Sequence, residues 1–174
     1  MAINLSQWKS RLGDTLPAHS FLVNIAPPAN VQGSEELQLR TESVTLPGIA
    51  YLSVDNFAPY GNGKMYNIPY RYLPQEVNMM HFLDEQGFLY DMYRRWSNEI
   101  VDLDGAQRYG AKYLLDYAVD MNVFVYNRKG EKVKDVKFIE AFPIVVEPIQ
   151  MSWGTVDEIA KLSVSYRFTR FEIS

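Results

Sequence analysis

A mainly β fold with one helix (α+β), an antiparallel β-sandwich or barrel, is predicted by three features of the sequence. Leu162, Val164, Tyr166 and Phe168 alternate with Ser163, Ser165, Arg167 and Thr169, the period of two that gives a strand one apolar and one polar face. Val119, Met121, Val123 and Val125 do the same, the polar run Asn127-Arg128-Lys129-Gly130 interrupts them, and the pattern resumes from Val133 to Phe142. A hairpin turned near Gly130 follows. From Asp84 the period changes, and Phe88, Leu89, Met92, Tyr93, Trp96 and Ile100 fall on one stripe. That spacing predicts a helix over roughly 84–100 on the outside of the sheets, capped by Asp84, with Asp91 four residues before Arg95.

The remaining elements follow in chain order. Leu5, Trp8, Leu12 and Leu16 have helical spacing, so residues 4–16 are expected to form a short helix that must dock to be stable. Phe21 to Ile25 reads as a first strand, ended by Pro27-Pro28. Leu37 to Leu46 alternates again, with polar groups on both sides. It is expected to be a strand that faces water on one side and another subunit on the other, or else a solvated hairpin arm. Pro47-Gly48 signals a turn before a short strand from Ile49 to Val54. Phe57 to Tyr70 is rich in Gly, Pro, Asn and Tyr and reads as a loop or open hairpin whose tyrosines are contact residues. Glu76 to Phe82 gives another strand, and Pro143 and Pro148 must sit at strand ends or on an edge, because each removes a ladder donor.

With 174 residues and no internal repeat, a single domain over 1–174 is expected. Aromatics make up 14% of the chain, too many for a disordered one. The absence of cysteine excludes disulfides, thiolate metal sites and thiol nucleophiles. A net charge of −4 argues against a protein that grips nucleic acid by neutralising phosphates. The chain opens without a basic region followed by an apolar run, and no stretch approaches the roughly 20 apolar residues of a spanning helix. A soluble protein of cytoplasmic origin, with no membrane binding of its own, is the expectation.

No constellation carries chemistry. His19 and His81 have no second ligand at a metal spacing and read as structural or surface residues. Asp102-Leu-Asp104-Gly105 lacks the glycine position and closing glutamate of a calcium loop. Gly61-Asn-Gly63-Lys64 lacks the spacing of a phosphate loop, and no serine sits in a GxSxG elbow. The pairs Glu35-Glu36 and Asp157-Glu158 fall in turn-like stretches without apolar surroundings to tune either carboxyl. No enzyme, cofactor or metal is expected. A small binding module or a hydrolase is the alternative from another class.

Four segments, in this order and at these spacings, resemble a known family over nearly the whole chain. They are Phe21-Leu-Val-Asn-Ile, Thr41-Glu-Ser-Val-Thr-Leu-Pro-Gly48, the helix ending Tyr93-Arg-Arg-Trp96-Ser-Asn-Glu-Ile100, and Ile149-Gln-Met-Ser-Trp153 ahead of Ile159 to Phe168. The family is the major tail tube protein of contractile-tailed bacteriophages. The resemblance implies a tail-tube sandwich or barrel forming hexameric rings that stack into a tube. Its lumen would conduct DNA during ejection without binding it specifically. The implied partners are further copies of the chain, the tail sheath protein, the tape-measure protein and the baseplate hub or tube initiator. The implied place is the virion tail, assembled in the bacterial host cytoplasm. The Tyr- and Pro-rich segment is longer than a plain hairpin, which keeps open a tube initiator or baseplate ring, or an inner-tube protein of a type VI-like contractile injection system.

Contacts between subunits are expected from Leu46, Pro47 and Gly48 and from Tyr60, Met65, Tyr66 and Tyr70, apolar groups from which a lone domain gains little. A duplex carries one negative charge per roughly 1.7 Å of axis, so a lysine-lined bore would stall it, while an acidic wall repels it over only about 8 Å at physiological salt. Two strips are candidates for the lumen: Glu36, Gln38, Arg40 and Glu42, and Glu131, Asp135 and Lys137.

Overall fold

The computed structural model describes residues 16–31, 33–57, 65–73, 76–101, 112–154 and 159–174, without the side chains of 34, 55–57, 65 and 66. The elements run β1 (Phe21–Ile25), α1 (Ser34–Arg40), β2 (Thr41–Thr45), β3 (Ala50–Phe57), β4 (Met65–Leu73), β5 (Val77–Phe82), α2 (Phe88–Ile100), α3 (Leu114–Tyr117), β6 (Val119–Tyr126), β7 (Lys132–Val146), β8 (Lys161–Arg167) and β9 (Arg170–Ile173). All strand pairs are antiparallel.

Seven strands form two layers joined through β7. Strands β1, β6 and β9 join the first part of β7, while β8, β5 and β2 continue from its second part. The alternation read from the sequence sets the faces. Val23, Ile25, Met121, Val123, Val136 and Phe138 point inward from the first layer, and Val77, Met79, Leu162, Val164 and Tyr166 from the second. The result is a sandwich and not a closed barrel, because among the described strands the end strands β1 and β2 do not pair with each other. The transfer of β7 between layers falls at Glu140, a non-glycine residue at φ 55°, whose N–H donates to Asp120 Oδ1 at 3.3 Å. Pro143 lies just beyond this bend, where β7 has only β8 beside it, so the missing N–H leaves no second ladder broken.

Helix α2 closes the sandwich with Leu89, Met92, Tyr93 and Trp96, all buried. It begins at Phe88, four residues after the predicted start. Gly87 and not Asp84 is the N-cap residue, while the Asp84 carboxylate serves the helix end from three residues upstream, accepting from the N–H groups of Phe88 at 3.0 Å and Leu89 at 3.4 Å. The hairpin between β6 and β7 turns at Gly130, φ 80°, with Asn127 Oδ1 accepting from the N–H groups of Lys129 and Glu131, both at 2.9 Å.

One expected strand is corrected. Leu37 to Leu46 is not one strand: residues 34–40 form α1 and only Thr41 to Thr45 extend as β2. The ends of α1 explain why. Glu35 and Glu36 occupy its first turn and Arg40 its last, which favours the helix dipole, and Glu36 pairs with Arg40 one turn on at 2.6 Å. Glu35-Glu36 therefore belongs to a helix and not to a turn. Phe57 to Tyr70, read as a loop or open hairpin, is the hairpin in its described part, with β3 and β4 forming a long antiparallel arm. The expected helix over 4–16, apart from Leu16, lies outside the described residues, as do Asp102 to Gly105, Gly61 to Lys64 and Asp157-Glu158.

Candidate functional site

The β3–β4 arm leaves the sandwich between β2 and β5, and among the described residues its contacts are mainly those of one strand with the other. Register pairs place Tyr51 opposite Tyr72 on one face, with rings 6.3 Å apart at 72°. Leu52, Val54, Ile68 and Arg71 share the other face. These side chains are exposed: Val54 to 54%, Ile68 to 47% and Tyr70 to 65%. A lone two-stranded hairpin is marginally stable in water, and among the described residues this one carries exposed apolar side chains on both faces. Ile49 and Leu73 extend this uncovered surface toward the root.

Of the predicted contact residues, Leu46, Pro47 and Gly48 link β2 to the arm, with Leu46 exposed. Tyr70 stands on β4. Met65 and Tyr66 lie on β4 with their side chains outside the described part, and Tyr60 lies outside the described residues. Sequence reasoning missed Tyr51, Leu52, Val54, Ile68 and Leu73. The signal was present as alternation on both flanks of the Gly- and Asn-rich stretch.

The lumen candidates separate. Glu36, Gln38 and Arg40 sit on α1, where Gln38 Nε2 donates to Asn24 Oδ1 at 2.7 Å, so they share no strand face with Glu42. Glu42 lies on β2, paired at 2.6 Å with Lys161, whose ammonium also lies 5.4 Å from the centre of the Phe82 ring. Glu131 lies in the β6–β7 turn and accepts from Asn127 Nδ2 at 2.8 Å. Asp135 pairs with Lys132 at 3.1 Å. Lys137 lies 2.8 Å from Asp120 and holds that carboxyl below the usual carboxylate range. The outer face of the second layer carries Ser43, Thr45, Asn78, Ser163 and Ser165, with Ser165 Oγ donating to Asn78 Oδ1 at 2.7 Å. At its margin Arg167 pairs with Glu76 at 2.8 Å. Met80 and Phe82 share this face with the small polar groups, and its charges Glu42, Lys161, Glu76 and Arg167 are paired, which leaves it locally neutral.

Among the described residues no three His, Asp or Glu side chains cluster to hold a metal ion, and no helix is long and apolar enough to cross a membrane. His81 is buried in the core and His19 is exposed.

Among the described residues, a sandwich whose end strands β1 and β2 each pair on one side only carries an arm of exposed apolar side chains, the features of a structural subunit. The chain belongs to the phage tail tube protein family, which it matches over residues 13–174. Its fold is that of solved tube-type proteins. It is similar to a chain of the sheath–tube complex of the extracellular contractile injection system PVC in the extended state, at 16% identity and TM-score 0.64 over 99% of each chain. It is also similar to a chain of the tube-terminating cap of the anti-feeding prophage, at 16% identity and TM-score 0.65 over 92% of this chain and 91% of that one. A chain from the six-fold symmetrised baseplate of the same particle matches at 10% identity and TM-score 0.65, over 93% of this chain and 97% of that one. No curated protein matches by sequence. Membership of this family makes the chain a structural component of a phage or phage-like tail.

Proposed function

We propose that this chain, acting as one domain, is the repeating subunit of a tail tube: six copies close a ring, rings stack, and the lumen conducts DNA during ejection. The observation that carries this reading is the β3–β4 arm, which presents exposed apolar residues on both faces and, among the described residues, packs mainly strand against strand. The neighbouring ring covers it, together with Leu46, Pro47 and Gly48 at its root. Lateral closure uses the open edge of β2, whose unpaired backbone groups form a template for a strand of the adjacent copy. A sheet continued around the ring in this way turns its outer face to the bore. Glu42 then belongs to the wall with Ser43, Thr45, Asn78, Ser163 and Ser165, whereas Glu131, Asp135 and Lys137 lie on the other layer. Because Glu42 and Glu76 are ion-paired, this wall repels DNA weakly and does not grip it.

The sheath, the tape-measure protein and the baseplate hub are the partners of such a subunit, in the virion tail and assembled in the host cytoplasm. Negative-stain microscopy of the purified protein tests the reading, with Ile68→Asp beside the parent. Tubes of uniform bore are expected from the parent, and single rings or monomers from the variant. Long tubes from Ile68→Asp contradict the role of the arm. Isolated parent rings that never lengthen indicate a tube initiator or terminator, and a parent that stays monomeric overturns the reading.

A further inference from the structure

The buried histidine stands where four elements meet. His81 Nδ1 lies 3.1 Å from Thr41 Oγ1, at the junction of α1 and β2, and Nε2 lies 2.9 Å from the hydroxyl of Tyr93 on α2. The Thr41 hydroxyl donates to the Leu37 carbonyl at 2.5 Å, so it offers the imidazole only lone pairs and Nδ1 carries the proton. Nε2 then accepts from Tyr93, whose oxygen accepts from the hydroxyl of Tyr166 on β8, with which it is in contact. Every donor finds an acceptor, in one direction from β8 to the end of α1, only while the imidazole is neutral.

Protonation breaks this order. Nε2 becomes a donor, Tyr93 must turn to donate to Tyr166, and the Tyr166 hydroxyl loses its acceptor. The groups around the ring are Thr41 from β2 and Tyr93 from α2, with Tyr166 from β8 behind it. Burial pushes both tyrosines above their ordinary range and keeps them neutral. No described carboxylate offsets a charge on the ring, and burial alone lowers the imidazole to about 4. An imidazolium here must reach water. Of the strands beside the ring, β2 is the most weakly held: five residues long, paired with β5 alone among the described strands and bulged between Thr41 and Ser43. Tyr93 and Tyr166, by contrast, are rooted in the long helix and an inner strand.

We propose that the Thr41–His81–Tyr93–Tyr166 network is an acid-operated latch, which holds α1 and β2 to the sandwich while His81 is neutral and releases them, ahead of the rest of the fold, when it is protonated. The latch is a property of the single chain and does not depend on the tube reading, although the edge it frees is the one proposed for ring closure.

Hydrogen exchange followed by mass spectrometry between pH 7 and pH 4, corrected for the intrinsic pH dependence of exchange, tests it on the parent and on His81→Gln. The Gln amide can donate to Thr41 and accept from Tyr93 but takes up no proton. In the parent, amides of 34–45 are expected to lose at least about tenfold protection while those of β6 keep theirs; in His81→Gln both stay protected. Equal loss in 34–45 and β6, no loss in the parent, or the parent's loss in His81→Gln overturns the latch. Thr41→Val gives an independent reading should His81→Gln not fold. It is expected to leave 34–45 weakly protected at every pH, and parent-like protection at pH 7 followed by parent-like loss in acid refutes the proposal.

Discussion

The sandwich and the arm use the same strand chemistry and differ in where their apolar side chains go. In the sandwich each strand sends one face inward, and Val23, Met121, Val164 and Tyr166 are all but removed from water. In the arm the same alternation leaves Tyr51, Val54 and Ile68 exposed. Burial of a large apolar side chain contributes roughly 1.5–3 kcal/mol, so the sandwich side chains carry stability that the exposed ones of the arm do not, and the tube reading proposed above gives the arm's share to assembly. An identical residue type should therefore have opposite consequences in the two regions, and substitutions can break or sharpen that contrast.

The largest effect belongs to the centre of the sandwich. Trp96 is fully buried, stacks parallel to Tyr93 and donates from Nε1 to the Tyr117 carbonyl at 2.9 Å. Trp96→Ala is expected to cost about 3–5 kcal/mol in urea unfolding. Next comes pH. The His81 imidazole is held at about 4 when folded, against 6.5 unfolded. Its contribution is therefore complete above 6.5 and lost as pH falls from there through about 4, because the unfolded chain binds the proton first. The total is on the order of 3 kcal/mol, and the acid slope of stability between those values should flatten in His81→Gln. Gly33 caps α1 at φ 134°, and an added Cβ would lie 2.9 Å from both Met92 Sδ and Phe88 Cε1. Gly33→Ala is expected to cost about 1–3 kcal/mol, read as a lower unfolding midpoint.

What the sequence revealed follows the same division. The faces of β6, β8 and α2 were legible because each is buried on one side by its own chain, which the pattern must record. The helix α1 was misread because Leu37 and Leu39 alternate as in a strand, yet on a helix two residues apart point to nearly opposite sides. Leu37 is fully buried and Leu39 is 81% exposed. The acidic first turn and the Glu36–Arg40 spacing were the better guide. The arm reads as a loop or open hairpin because its strands flank a Gly- and Asn-rich stretch and their apolar side chains stay exposed, so no one-sided burial marks them. The latch was invisible because Thr41, His81, Tyr93 and Tyr166 come from distant segments that only the fold brings together.

The smaller effects sharpen the contrast from the surface. Lys161→Ala removes a partly exposed pair with Glu42 and should cost no more than about 1 kcal/mol, less in high salt. Val54→Ser on the arm should change the unfolding free energy of the unassembled chain by less than about 0.5 kcal/mol while raising the protein concentration at which tubes form.

Amide hydrogen exchange across β3 and β4, measured on the unassembled chain and on tubes of the same protein, tests the division between body and arm most directly. Free chains should exchange these amides far faster than those of β6 and β8, and assembly should bring them to comparable protection. Arm amides already protected like β6 in the unassembled chain, or unchanged on assembly, would contradict it.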